Sequence, residues 1–268
     1  IGKIIVSLMP IAPKFLVKRI AGRYVAGLNL ESAIDLMKNM SKENTCFTID
    51  VLGEEIKDVD EARYFVDEYS RVLDSIVSNQ LDANISLKPT ALGLLIDKEV
   101  ALSNIEEIMK KAALNDIFVR LDMEDHRVTQ ETIDVVLEMQ KKGFQNIGTV
   151  LQGRLFRTKE DIAAVSRELG SLADFRICKG IYLESSDISY TKYQEIVNST
   201  NDCISHMLEM GCYTAIASHD LPIINHSLEK LSDMGMSVDN DSRDNSADTR
   251  VGKGPGYEFQ FLLGVRGN

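Results

Sequence analysis

Two cations stand close together on what should be a short apolar strand. Residues 175–184 run Phe-Arg-Ile-Cys-Lys-Gly-Ile-Tyr-Leu-Glu, so Arg176 and Lys179 interrupt an otherwise apolar stretch. A strand buried on both faces of a parallel sheet is nearly continuous Val, Ile and Leu. A buried cation is costly unless it reaches solvent or a negative partner. Gly180 removes a side chain where a ligand or a second backbone could come close. Two readings follow. One is a strand end with two snorkelling cations and a turn glycine; the other is an anion-holding floor at the mouth of a barrel.

Other groups of the same kind recur along the chain. Asp50, Gly53, Glu54 and Glu55 come first, then Lys88-Pro89-Thr90, then Asp122, Glu124, Asp125 and His126. Gln152 and Arg154 follow, and after Arg176, Lys179 and Tyr182 come Ser218, His219 and Asp220, then Glu258 and Gln260. Lys88 or Lys179 could form a Schiff base if desolvated and lowered in pKa. The acids of 122–125 with His126 and His219 have metal-ligand chemistry. Neighbours on a strand point to opposite faces, however, so that run cannot converge and no metal is expected. No glycine-rich nucleotide fingerprint or phosphate loop occurs, so barrel loops would have to hold any nucleotide cofactor.

The elements that must position these groups read as a βα alternation. Short β-rich runs lie at 46–52, 84–87, 117–123, 147–151, 175–181, 213–217 and 257–262. Segments with apolar residues at three- and four-residue spacing separate them, for example 62–77, 105–114 and 133–139. Thr129, and the near capping box from Thr158, mark helix starts; Gly143, Gly170, Gly211 and Gly235 mark stops. Every polar cluster falls at the C-terminal end of a strand run, which is where a parallel barrel carries its site. The expected fold is therefore α/β, a distorted (βα)8 TIM-like barrel over residues 45–268 with an N-terminal helical cap over 1–44. The cap is read from Ile4, Ile5, Leu8, Phe15, Leu16, Ile20, Leu30, Ile34 and Met37. Seven strands can be placed, not eight, and 238–256 reads as a long polar loop.

Composition narrows the partners. The 268 residues suit one large domain, and a net charge of −11 repels nucleic acid and anionic membrane. Cys46, Cys178, Cys203 and Cys212 show no metal-type spacing and read as reduced core thiols. No apolar run approaches the roughly 20 residues that span a bilayer. The first residue is Ile, so the chain is expected to be an internal piece of a longer one.

Seven stretches in order carry a resemblance: FTIDVLGE at 47–54, SLKPTALG at 86–93, RLDME at 120–124, VLQ at 150–152, RICKGIYLE at 176–184, ASHD at 217–220 and YEFQFLLG at 257–264. Together the chain resembles the proline dehydrogenase family of FAD-dependent distorted βα barrels, from about residue 25 onward. The resemblance implies oxidation of L-proline to Δ1-pyrroline-5-carboxylate, with hydride passing to FAD and electrons then to a quinone. It implies that Lys88 faces the substrate carboxylate and pairs with Asp122, and that Arg176 lies against the flavin near N5. A cation there would stabilise the anionic reduced flavin, in agreement with the anion-holding reading of Arg176. It further implies that Met123, Leu151 and Gln152 line the isoalloxazine. Lys179, Gly180 and Ile181 would follow the ribityl and phosphate chain, with Ser218 and His219 touching the cofactor. Glu258 and Gln260 would be supports. The implied location is cytoplasmic, peripheral to the inner membrane.

One family feature is absent. The family's eighth helix carries a tyrosine and paired arginines, followed by glutamate, that clamp the proline carboxylate, and Arg266 does not match them. A bidentate guanidinium fixes a small carboxylate in one orientation. Flavin binding with poor proline turnover is then expected, together with an unclosed barrel. The alternatives are a Schiff-base lyase using Lys88 or Lys179 and a flavin-binding remnant without turnover.

Overall fold

A computed structural model describes residues 26–27, 29–43, 45–236 and 256–265. Seven strands, β1 (Phe47–Asp50), β2 (Ala83–Leu87), β3 (Val119–Leu121), β4 (Ile147–Gln152), β5 (Asp174–Cys178), β6 (Tyr213–Ala217) and β7 (Tyr257–Gln260), pair in sequence order, every pair parallel. The helices are α1 (Leu30–Met40), α2 (Val59–Ser78), α3 (Lys98–Ala113), α4 (Thr129–Lys141), α5 (Thr158–Leu169), α6 (Tyr193–Glu209) and α7 (Leu221–Asp233). The expected alternation is present, with each strand within a few residues of its expected bounds. The expected helices at Ile4–Ile20, the polar loop from Val238 and Arg266 lie outside the described residues.

Local signals account for most boundaries. α2 begins in a capping box, in which Asp58 accepts from backbone N–H groups of the first turn and Glu61 accepts from the Asp58 N–H at 3.2 Å. Gly143, Gly170, Gly211 and Gly235 all have positive φ just past a helix, as expected of the residue type that takes this conformation without strain. Two expectations are corrected. Thr158 does not cap α5; its hydroxyl donates to the Gln152 carbonyl at 2.5 Å, and Arg157 holds the cap position without a side-chain bond. Cys46 is exposed rather than in the core, because it precedes β1 at the end of the sheet where Asp82 accepts its thiol proton.

The sheet is curled. β2 and β5 are three spacings apart, about 14 Å in a flat sheet. Yet Arg176 on β5 donates to the Ser86 hydroxyl on β2 at 3.2 Å. Tyr182, after β5, reaches Glu54, after β1, at 3.1 Å. Strand alternation divides the two faces. Ile85, Leu87, Val119 and Leu121 join Phe65, Val66, Ile105 and Met109 in an apolar cluster between sheet and helices. The concave face instead gathers Ser86, Arg120, Asp122, Asp174 and Arg176, which bond to one another. α1 reaches the same apolar cluster through buried Met37. Among the described residues, no helix is long and apolar enough to cross a membrane.

Candidate active site

The strand C-termini deliver a row of alternating charges. Lys88, just past β2, puts its ammonium 2.6 Å from Asp50 Oδ2 on β1 and 3.6 Å from Asp122 Oδ2 past β3. Asp122 Oδ1 in turn accepts from Arg176 Nη1 at 2.7 Å and from the Ser86 hydroxyl at 2.6 Å. Tyr69, from α2, donates to the Ser86 carbonyl at 2.7 Å, its hydroxyl also lying 3.2 Å from Asp50. The cations of the strand floor are therefore paired with the protein's own carboxylates, Arg176 with Asp122 and Lys179 with Asp220 at 2.5 Å.

Burial raises the Asp50 carboxyl above its ordinary value despite Lys88. For Lys88, burial pushes down, but Asp50 and Asp122 outweigh it and hold the ammonium above its ordinary value. A Schiff-base lysine needs the opposite shift. Burial draws Arg176 downward against the pull of Asp122.

Beside this row sits a second carboxyl. Glu124 is buried, and Thr90 donates to it through its backbone N–H at 3.0 Å and its hydroxyl at 2.5 Å. Burial pushes Glu124 from 4.5 to about 7. Gln152 Nε2 donates to the Glu124 carbonyl at 2.7 Å, while the buried Gln152 Oε1 finds no hydrogen-bond partner. Gly180, at φ +94°, lies so close that a Cβ there would sit 2.4 Å from that oxygen.

The expected site residues divide. Lys88, Asp122 and Arg176 are brought together, with Gln152 and Gly180 at the adjoining strand ends. Met123 is buried. Leu151 lies between Val150 and Gln152 in β4, so its side chain turns to the face opposite theirs, and it belongs to the apolar cluster that includes Ile162 and Val165 of α5. Only its backbone is available to the site, a correction to its expected lining role. Lys179 stands 5.2 Å over the Tyr193 ring, whose hydroxyl also donates to Asp220 at 2.8 Å. Ser218 accepts from the Asp220 N–H at 3.0 Å, and His219 Nε2 accepts from the Leu262 N–H at 2.9 Å, tying the β6 and β7 ends. Ile181 is 85% exposed on the loop after β5. Past the end of β3 the acidic run scatters: Asp122 goes to Arg176, Glu124 to Thr90, Asp125 to Arg127, and His126 to Glu184 at 2.6 Å.

The sequence placed Asp50 and Glu124 among the polar groups at the strand ends, with metal-ligand chemistry the one role offered for Glu124. Asp50's signal was an acid at the end of β1, but its partner lies 38 residues away. Glu124 carried no signal for its elevated pKa, which burial creates, with the Glu54 charge adding to it.

Among the described residues the fold is a curled, seven-stranded parallel α/β half-barrel with a polar, partly buried constellation at its strand C-termini, the end at which such folds place their sites. The proline dehydrogenase family model matches residues 33–265. Proline dehydrogenase 2 of Bacillus subtilis is 31% identical over 247 residues, covering 92% of this chain and 75% of that protein. Proline dehydrogenase of Deinococcus radiodurans is 28% identical over 255 residues, covering 92% and 75%. The chain belongs to the proline dehydrogenase family of oxidoreductases. The fold is shared with a crystal structure of proline utilization A from Bdellovibrio bacteriovorus inactivated by N-propargylglycine, at TM-score 0.80 and 21% identity. That match covers 92% of this chain and 29% of that one.

Proposed function

We propose that this chain oxidises L-proline to Δ1-pyrroline-5-carboxylate with bound FAD and passes the electrons to a quinone. The observation that carries this reading is the Asp50–Lys88–Asp122–Arg176 row, set in a chain of this family. The residues fit a flavin. Gln152 Oε1 is a buried acceptor without a partner, of the kind a donor on a bound ring would satisfy. Gly180 leaves a cradle that any Cβ would fill. Arg176 is nearly buried and positive, suited to a developing anion.

When bound, the flavin supplies the hydride acceptor. The chain's own residues do the rest. Lys88, kept protonated by Asp50 and Asp122, binds the substrate carboxylate. Asp122 holds both cations in register, and the Ser86 hydroxyl orients Asp122. Gln152 and Gly180 shape the ring site, with Met123 and the Leu151 backbone beside it. Lys179, Ser218, His219 and Ile181 would hold the more distant parts of the cofactor. Tyr182 bonding Glu54, and His126 bonding Glu184, draw the β5 loop toward the β1 and β3 loops and limit water at the mouth.

The curl and the sequential strand order support reading the sheet as the wall of a distorted (βα)8 barrel, in which an eighth unit would close β7 onto β1. Buried Met37 supports reading α1, the described part of the expected N-terminal cap, as packed on the sheet domain. A quinone acceptor implies a cytoplasmic protein that meets the membrane peripherally.

The test is a visible spectrum after FAD addition and desalting, then after proline. Retained flavin bands that bleach with proline are expected. Bands that persist unbleached would leave a flavin-binding protein without this activity, and no retained flavin would remove the proposal altogether.

A further inference from the structure

A second ion pair lies one pleat below the first, with its signs reversed. Arg120 Nη2 is 2.8 Å from Asp174 Oδ1, and both side chains are almost completely buried. Arg120 is two residues before Asp122 along the β3 face, and Asp174 is two residues before Arg176 on β5. The strand register sets these four in two level rows. Arg120 pairs with Gly148, and Thr149 with Phe175, so Arg120, Gly148 and Asp174 share the lower row. Asp122, Val150 and Arg176 share the upper one. β4 separates the partners in each row, and the lower pair needs Gly148: a Cβ there would lie 2.6 Å from the Asp174 carbonyl and 2.9 Å from Phe118 Cζ.

The result is a checkerboard, acid over base on β3 and base over acid on β5. Arg176 thus has three carboxylates around it: Asp122 beside it, Glu258 level with it across β6, and Asp174 about 6.6 Å below along its own strand. Its hold on Asp122 uses Nη1, and its buried Nε has no hydrogen-bond partner. That leaves the guanidinium open to capture by a rival carboxylate in a low-dielectric interior. Asp174 is such a rival unless it is already occupied. Arg120 occupies it, and is itself fixed by donating to the Thr149 carbonyl at 3.2 Å and by lying 4.9 Å over the Phe118 ring. Its positive charge also acts on Arg176 from below.

We propose that Arg120 is a positioning residue: by engaging Asp174 it keeps Arg176 on Asp122 at the mouth of the sheet. The proposal rests on the reading of Arg176 as a site residue, while its test does not need flavin or proline.

The experiment follows the Arg176 Nε–Hε signal by 15N NMR in the full chain without added ligand, assigned by its loss in R176K. In R120Q the signal should shift, with solvent exchange changed roughly tenfold, a size typical of coupling between neighbouring charges. In R120Q/D174N, with the rival carboxylate gone, the signal should return toward its original position. That rescue is the mark of competition, since a merely structural loss would be worsened or unchanged by the second substitution. A folded R120Q with an unmoved Arg176 signal overturns the proposal, as does a shift that D174N fails to reverse. Should R120Q not fold, R120K decides, since it keeps a cation to hold Asp174: Arg176 unmoved supports the proposal, and Arg176 displaced overturns it. Because the signal is read without substrate, failure of proline to bleach flavin would count against the proposed activity and leave this result standing.

Discussion

Lys88 lies closer to Asp50 than to Asp122, 2.6 Å against 3.6 Å. The lysine is thus anchored from the strand before it and only secondarily from the strand after it. Asp50 is the residue that keeps Lys88 charged in a half-buried position, where desolvation alone would lower its pKa.

Asp50→Asn should therefore lower the Lys88 pKa while keeping the shape of the site. The alkaline limb of carboxylate-ligand binding is expected to move to lower pH, and urea unfolding should show a loss of about 1–2 kcal/mol for the broken charge-assisted bond. An alkaline limb identical to that of the unsubstituted protein would show that Asp122 alone sustains the lysine.

Arg176→Met removes the 2.7 Å partner of Asp122 but leaves Ser86 and Lys88 beside it. The domain should stay folded, while FAD affinity or the rate of flavin reduction falls by about tenfold or more, as for loss of one preorganised electrostatic partner. Equal affinity and equal reduction rate, measured by flavin titration and stopped flow, would take Arg176 out of the site.

Gly180→Ala places a methyl group against Gln152 Oε1 at a φ of +94°. A loss of about 1–3 kcal/mol in stability is expected from backbone strain, accompanied by weaker flavin retention as Gln152 is displaced. Stability reduced with flavin retention intact would mean that Gln152 does not face the cofactor.

Glu124 gives the protein a pH dependence of definite sign. Its folded pKa, about 7, lies above the ordinary 4.5, so the folded state holds the proton more tightly than the unfolded chain between those values. The stabilisation is complete below about pH 4.5 and is lost as pH rises through about 7, amounting to at most ~3 kcal/mol. Urea midpoints measured from pH 4.5 to 8 should fall more steeply for the unsubstituted protein than for Glu124→Gln. Parallel curves would place the Glu124 pKa near its ordinary value.

How much was legible follows from the range of each signal. Periodicity, glycine stops and the clustering of polar residues after each β-rich run all act within a few residues of one another. They located every described strand and the strand ends at which the polar groups gather. Pairing was not legible. Lys88 with Asp50, Arg176 with Ser86 and Arg120 with Asp174 are separated by 38, 90 and 54 residues or are joined only through the curl of the sheet. The facing of Leu151 was within reach of a local rule, since it and Gln152 are neighbours on one strand and cannot both face the site. The chain by itself determined which chemistry was available and at which end of which strands. Only the tertiary structure decided which charges neutralise one another and which carboxyl is pushed toward neutral pH, because those outcomes depend on burial and on distances across a curved sheet.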